Sequence, residues 1–440
     1  MDDLISFLRI PSISALPEHA PDVRRAAEWL RHWLAQAGLE NVRLIEGDGN
    51  PLVFAEWTKA PAKPTLLLYG HYDVQPPDPL EEWTSPPFDP QIRGGNLYAR
   101  GAADDKSQLY ILMEAVRRML RERGRLPVNV KFLIEGEEES GGEHIERYVS
   151  SAPAELRSDA ALICDTAMFA PGLPTITTGL RGIVYGEIHL QGARADLHSG
   201  DYGGAAPNAV EAAAQIIAAL KDRDGRIRIP GLYDRVRRPG DTELEAWRSL
   251  PFDPEQYREK EIGSPALAGE PEVPLLERLW SRPTLEIHGI RGGFTGEGAK
   301  TVIPARAVVK ISLRLVPDQR PEEVVRQLEA AIAQATPRGV TAKFHLLSSA
   351  PANLVDPQNP FVKKAAEAME KVFGRKSVYV RCGGSIPIVG LFEKFPGIPS
   401  VLAGFGLPDD NIHAPNEKMS VENIRRGIDA IIAYFDALGA

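Results

Sequence analysis

Four short clusters of acids and histidine follow apolar runs in this 440-residue chain. They are His71 with Asp73 in LLLYGHYD, Asp104 with Asp105 in ARGAADDKSQ, Glu137 to Glu139 in EGEEESGG, and Asp165 at the end of ALICD. His413, in DDNIHAPNEK, adds a fifth. Two imidazoles and several carboxylates, without thiolates, are a ligand set for a borderline-to-hard divalent cation such as Zn²⁺ or Mn²⁺. The surplus of carboxylates suits two ions sharing a bridging acid, ~3.5–4 Å apart with a water between them. An imidazole with a carboxylate two residues on also suits a metal ligand and the group that holds its ring. Each cluster alone is equally well a polar turn after a strand, so their number is what favours a common site.

The elements around them have a regular order. Thr65 to Tyr69 is an apolar run closed by Gly70, which reads as a buried strand. Strand periodicity places His71 and Asp73 on one side of the chain just past its end. In open α/β sheets that carboxyl edge is where ligands bind. Residues 22–38 have helical periodicity ending in glycine, and 41–57 read as two strands. A Pro-rich segment, VQPPDPLEEWTSPPFDP, is a long ordered loop. Gln108 to Arg123 is an amphipathic helix, VNVKFLIEG a strand with EEESGG as its exit, and ALICD another strand. Alternating strands and helices of this kind predict a mostly parallel, doubly wound α/β sheet with helices on both faces.

The texture changes after Leu180. RGIVYGEIHLQG, TLEIHGI, AVVKISLRLVP and VTAKFHLL alternate as half-exposed strands, with helices at Asn208 to Leu220 and Pro321 to Ala335. Residues 222–283 look irregular. This predicts an α+β sandwich inserted at 178–352 into a domain made of 1–177 and 353–440. VYVRCGG and PSVLAGFG read as strands of the resumed first domain, and Val421 to Leu438 as its closing helix.

Composition narrows the class. The chain is 43% hydrophobic and 25% charged, as for an ordinary globular protein. A net charge of -9 argues against a nucleic-acid partner, which needs a basic face. Two cysteines, Cys164 and Cys382, form no CxxC, so no Cys-rich zinc site is available. The opening MDDLISFLRI carries acids where a secretory leader needs a basic region, and no apolar run approaches a membrane span. A cytoplasmic protein without a membrane partner is expected.

The ordered motifs YGHYDVQP, ARGAADDKSQ, EGEEESGG, CDT, LHSGDYGG, GAKTVIP, ISLRLVP, GGSIP and IHAPNEK are similar to those of the co-catalytic metallopeptidase family twenty. That family includes carnosine dipeptidases, aminoacylases, acetylornithine and succinyl-diaminopimelate deacylases and the glutamate carboxypeptidases. The resemblance covers nearly the whole chain and is closest to the dipeptidase branch, because Asp165 stands where the other branches carry Glu. It implies a homodimeric hydrolase with two divalent ions, Zn²⁺ or Mn²⁺, cleaving dipeptides or similarly small substrates that carry a free carboxylate.

Residue by residue, the resemblance implies that Asp104 bridges the ions, through a peptide to Asp105 that is cis in the family. His71 and Asp165 would complete one ion, and Glu139 and His413 the other. Glu138 would be the general base acting on the water between the ions, and Asp73 the orienting partner of His71. Aligning the acidic run on the ESGG that follows leaves Glu137 a bystander. His198, in the inserted lid and dimerisation domain, would stabilise the oxyanion in a partner subunit's site. Arg314 would grip a substrate carboxylate. Thr301 and the Gly384–Ser385 backbone would be lesser substrate contacts.

Two departures bear on substrate. Dipeptidase members usually carry Glu before GGS, where this chain has Cys382, and a His before the loop matching SSAPAN, where it has Leu347. Losing a carboxylate weakens recognition of a free amino group, so an N-acyl-amino-acid amidohydrolase is the alternative, with a catalytically silent metal-binding homologue behind it. The other six histidines match no motif and are read as structural. Asn208 is read as a helix N-cap. GGSIP lacks the GxSxG elbow of a serine nucleophile. The tract RIRIPGLYDRVRRPG is read as a solvated loop face or subunit contact.

Overall fold

The computed structural model describes residues 1–151 and 154–440. The chain forms two compact units, one of Met1–Thr178, Val355–Val380 and Leu391–Ala440, the other of Gly179–Leu354 and Arg381–Gly390.

The sheet of the first unit is built on Thr65–His71, which is buried from Leu66 onward. Successive strand side chains point to opposite faces, so a strand buried throughout is covered on both. It runs parallel to Asn129–Glu135 on one side and Ala160–Ile163 on the other, and Ser400–Leu402 lies parallel beyond the latter. Antiparallel strands extend this parallel centre. Leu52–Trp57 and then Glu40–Ile45 lie beyond Asn129–Glu135, and Thr175–Leu180 pairs with Ser400–Leu402. Helices flank the sheet: Ala20–Gln36 packs on the two outer strands, Lys106–Arg123 on Thr65–His71 and on Val421–Gly439, which in turn packs on Pro360–Phe373. No helix among the described residues is long and apolar enough to cross a membrane.

The helix Lys106–Arg123 shows how sequence and packing cooperate. Gly124 ends it at φ 67, where its N–H donates to the Leu120 carbonyl, a left-handed cap that costs glycine nothing. It begins two residues before the apolar periodicity does, because Lys106 is drawn inside. Its Nζ donates to the carbonyls of Phe7 and Ile10 at 3.2 and 2.7 Å, and burial lowers the ammonium to about 7.

The second unit holds a four-stranded antiparallel sheet in the order Thr284–Gly292, Arg306–Leu315, Gly182–Gln191, Thr341–Ala350. In Gly182–Gln191 every second residue is buried, so one face of the sheet is covered. Ala209–Leu220 and Pro321–Ala335 cover it, contributing Ala212, Ala213, Ile216 and Leu220, and Val324, Leu328 and Ile332, against Val184, Ile188, Val309, Ile311 and Leu313. Truncating a fully buried leucine in such a layer costs ~2–5 kcal/mol. Asn208 caps the first of these helices, accepting from the N–H groups of Val210 and Glu211. Residues 222–283 are more ordered than their composition suggests. They contain the helices Asp241–Arg248, Pro254–Gln256, Tyr257–Ile262 and Leu275–Ser281. These pieces are too short and too often broken by proline for a helical period to register, yet Trp247 and Trp280 pack edge to face at 5.0 Å.

Candidate active site

The acidic clusters converge at the carboxyl ends of the parallel strands of the first unit. His71 is the last residue of its strand, the Glu137 to Glu139 run follows Asn129–Glu135, and Asp165 follows Ala160–Ile163. Asp104 and Asp105 lie in the loop that opens the helix Lys106–Arg123 and are joined by a cis peptide.

Two ligand sets result, each with its donor atoms within 4.8 Å of one another: His71, Asp104 and Asp165 form one, Asp104, Glu139 and His413 the other. Asp104 is common to both. Its Oδ1 lies 3.0 Å from His71 Nε2, and its Oδ2 lies 2.9 Å from His413 Nε2. Glu139 Oε1 is 3.1 Å from the same His413 nitrogen. The His71 ring is held from behind: its Nδ1 lies 3.1 Å from the Asp73 carbonyl and 3.4 Å from the Asp73 carboxylate. Asp73 Oδ2 is itself fixed by Ser14 Oγ–H at 2.6 Å and by the Glu139 N–H at 3.1 Å. Ring orientation by a carboxylate and a carbonyl is the usual support for a ligating imidazole.

The three glutamates have separate surroundings. Glu137 is turned into the scaffold, accepting from the N–H groups of Asn50 and His144, while its carbonyl accepts from Ser140, Gly141 and Gly142. Glu139 reaches His413. Glu138 is half-buried among charges, and desolvation, then the charges of Glu139 and Asp104, raise its carboxyl to about 8.

The donor chemistry fits a pair of divalent cations. Burial and the charges of Asp104 and Asp105 push Asp165 well above the usual carboxylate range. Asp105 rises to about 8, chiefly through burial. Asp104 is held far below its ordinary value despite its burial, because His413 and His71 bond to it. Burial alone would lower His71, but bonds to Asp104 and Asp73 outweigh it and raise the imidazole. Buried oxygens Asp73 Oδ1 and Asp105 Oδ1 have no hydrogen-bond partner. So dense a set of half-compensated carboxylates calls for positive charge.

A pH dependence follows. Glu138 and Asp105 have ordinary values of 4.5 and 3.8 and rise to about 8 in the folded, cation-free protein. Between those values the folded state holds more protons than the unfolded one, so stability falls as pH rises. His413, raised to about 10 by its bonds to Asp104 and Glu139, acts in the same direction above its ordinary 6.5. Lys106, lowered to about 7, opposes them only above that pH. In chelator the melting temperature should therefore fall between pH ~4.5 and ~7, reflecting a loss of stability of up to about 1.4 kcal/mol per pH unit for each of Glu138 and Asp105. Added Mn²⁺ or Zn²⁺ should restore it most at the upper end, because cations displace protons from their ligands. A melting temperature flat across that range, with and without chelator, would contradict this.

Supporting residues emerge that carry no spacing signal. Glu417, fully buried, accepts from the N–H groups of Gly101, Ala103 and Asp104 and from Arg100 Nη1 at 2.7 Å. It thereby shapes the loop that presents Asp104. Gln75 Nε2 donates to Glu139 Oε2 at 2.8 Å. Both stand inside the motifs YGHYDVQP and IHAPNEK, but a lone Gln or Glu in a loop reads as solvated until its backbone partners are known.

The remaining expected residues lie in the second unit. His198 and Thr301 come together: Leu197–His198 pairs with Val302–Ile303, and the Ser199 N–H donates to the Thr301 carbonyl at 3.2 Å. The His198 side chain is 60% exposed, and its Nδ1 accepts the Gly200 N–H at 3.1 Å, so the neutral ring carries its proton on Nε2. Arg314, Gly384 and Ser385 form a second group, with Arg314 Nη1 donating to Ser385 Oγ at 2.8 Å. The other histidines have local partners: His19 with Asp22, His32 with the Glu28 carbonyl, His144 with the Asn50 carbonyl, His189 with Glu187 and with the His345 ring, and His288 with Ser312.

A doubly wound sheet with two carboxylate-bridged ligand sets at its carboxyl edge defines a metal-dependent hydrolase class. Residues 67–437 match the model of peptidase family M20/M25/M40, and the chain belongs to that family. It is 33% identical to a Cys-Gly metallodipeptidase of Candida albicans over 98% of this chain and 93% of that one. It is also 33% identical to a human beta-Ala-His dipeptidase over 88% of this chain and 77% of that protein. Among solved structures, an M20 family metallo-carboxypeptidase from Sulfolobus solfataricus superposes with a TM-score of 0.90 at 33% identity, covering 99% of this chain and 98% of its own.

Proposed function

We propose that this protein is a two-cation dipeptidase that hydrolyses the amide bond of dipeptides or similarly small substrates with a free carboxylate. The observation that carries the reading is the pair of ligand sets sharing Asp104. The dipeptidase names of the relatives support it. His71, Asp104 and Asp165 would hold one ion and Asp104, Glu139 and His413 the other, with Zn²⁺ or Mn²⁺ suited to the donors. When bound, such ions acidify a water towards neutrality and polarise the scissile carbonyl.

The chain's own groups do the rest. Glu138 takes the proton of the attacking water and hands it to the leaving amine; a carboxyl raised towards neutrality is suited to both transfers. Asp73 fixes the His71 ring. His198 offers an exposed Nε2–H donor for the developing oxyanion of a partner subunit's site, and the assembly is a homodimer. Exposed Leu346 and Leu347 on the strand Thr341–Ala350, an edge of its sheet, support such a contact and a lid and dimerisation role for the second unit. Arg314 receives the substrate carboxylate through its fork, with Thr301, Gly384 and Ser385 as lesser contacts. A cytoplasmic location is part of this reading, and a net charge of -9 supports the absence of nucleic-acid partners.

A second reading, an N-acyl-amino-acid amidohydrolase, is favoured by one feature. The turn that would face an amino group carries the Cys382 thiol, whose Sγ accepts the Gly384 N–H, and not a carboxylate. A panel of dipeptides and N-acetyl amino acids, assayed after loading with Mn²⁺, Zn²⁺ or Co²⁺ and with metal analysis, decides. Dipeptide turnover with two ions per chain is expected. Hydrolysis of the acylated set alone would reject the dipeptidase reading, and inactivity with every metal would reject both.

A further inference from the structure

Among the described buried and half-buried arginines of the second unit, Arg258, Arg282 and Arg381 pair with acids, whereas Arg278, which donates to the Ala268 carbonyl, and Arg181 and Arg314 do not. Arg381 forms a two-point contact with Glu243 at 2.7 Å, and Arg282 does the same with Glu270. Arg181 and Arg314 have no carboxylate within ion-pair distance among the described residues. They meet instead at one uncharged turn, Gly383 to Ser385.

Arg181 is bound to that turn at every backbone group. Its N–H donates to the Gly384 carbonyl at 3.0 Å, its carbonyl accepts from Ser385 Oγ at 2.5 Å, and its Nε donates to the Gly383 carbonyl at 2.9 Å. A Cβ on Gly383 would fall 2.7 Å from Arg181 Nη2, so only glycine leaves room for the guanidinium there. Arg181 Nη1 is left buried without a hydrogen-bond partner. Arg314 Nη1 donates to the same Ser385 hydroxyl. Burial, then the charge of Arg314, lowers Arg181 to about 10, as expected of two cations that repel across a partly desolvated space. An unpaired buried charge costs several kcal/mol, and that cost is offset when an anion supplies the missing partner. Two forks also exceed what one carboxylate needs, since one guanidinium already matches it at two points.

We propose that Arg181 and Arg314 together form a dicarboxylate site, with Arg314 taking the main-chain carboxylate and Arg181 a second carboxylate on the side chain of the C-terminal residue. Substrates ending in Asp or Glu are therefore preferred. This rests on the reading that Arg314 grips a substrate carboxylate, and it adds Arg181 as the residue that sets specificity.

The test compares dipeptides ending in Glu and Gln, which differ in charge and hardly in shape, on the metal-loaded wild type, Arg181→Gln and Arg181→Lys. The wild type should prefer the Glu-ending substrate by at least ~10-fold in KM, about one charge-assisted pair. Arg181→Gln should raise KM for that substrate ~10–100-fold while leaving kcat and the Gln-ending substrate within about threefold, and Arg181→Lys should recover part of the preference. No preference in the wild type, or an equal loss on both substrates in Arg181→Gln, would reduce Arg181 to a scaffold of the turn and overturn the proposal. Calorimetric titration with glutarate and with its monoamide separates this outcome from failure of the dipeptidase reading. If no dipeptide is hydrolysed, tighter glutarate binding that is lost in Arg181→Gln upholds the dicarboxylate site, and equal binding to both proteins overturns it.

Discussion

Replacing Glu138 by Ala should lower kcat by ~10²–10⁴-fold while two cations remain bound, the loss usual for a positioned general base. The geometry separates the two roles that neighbouring acids could exchange. Glu139 lies 3.1 Å from His413 Nε2 and has Gln75 on its other oxygen, so its removal should release cation. Glu138 belongs to neither ligand set and sits beside them with a carboxyl raised to about 8. Metal analysis of Glu138→Ala beside its turnover checks the assignment. If the variant loses cation, the ligand and the base have been exchanged, and Glu138 moves into the coordination shell.

His198→Ala should act on a different parameter. A donor to a developing oxyanion works mainly in the transition state, so kcat should fall ~10²–10³-fold with KM changed by less than about threefold. The ring is 60% exposed and its close partners among the described residues are the Gly200 N–H and Asp201, at 3.1 and 3.5 Å. Folding therefore has little stake in it, and the melting temperature should stay within about a degree or two. Mixing His198→Ala with Glu138→Ala subunits supplies the sharper measurement. If His198 serves a partner subunit's site, such mixtures should recover part of the activity that each variant lacks. Unchanged kcat in His198→Ala would remove this residue from the mechanism.

The class of fold was legible because its cues are local. Alternation of apolar runs with amphipathic helices marked the doubly wound sheet, and period-two strands such as Gly182–Gln191 marked the second architecture. Short elements escaped. The helices between 241 and 281 are at most eight residues long, too short for a period to be counted. Apolar periodicity starts the helix Lys106–Arg123 too late, because a lysine reads as solvent-facing, whereas this one donates into the interior.

The site divides along the same line. Residue types and ordered motifs marked His71, Asp104, Glu139, Asp165 and His413, because cation binding demands particular donor atoms and few other tasks gather so many. Chain order alone could not say which of three consecutive glutamates faces the pocket. That is a matter of side-chain direction, settled when Glu137 turned to the Asn50 and His144 backbone. Nor could it show that Glu417 shapes the Asp104 loop, or that Arg181 leaves a buried nitrogen without a partner. Donor chemistry is written in each residue's own atoms, so the chain by itself determined that divalent cations and a hydrolytic class of reaction suit it. Which groups share a proton, a charge or a buried face depends on partners far away along the chain, and only the packed structure decided those.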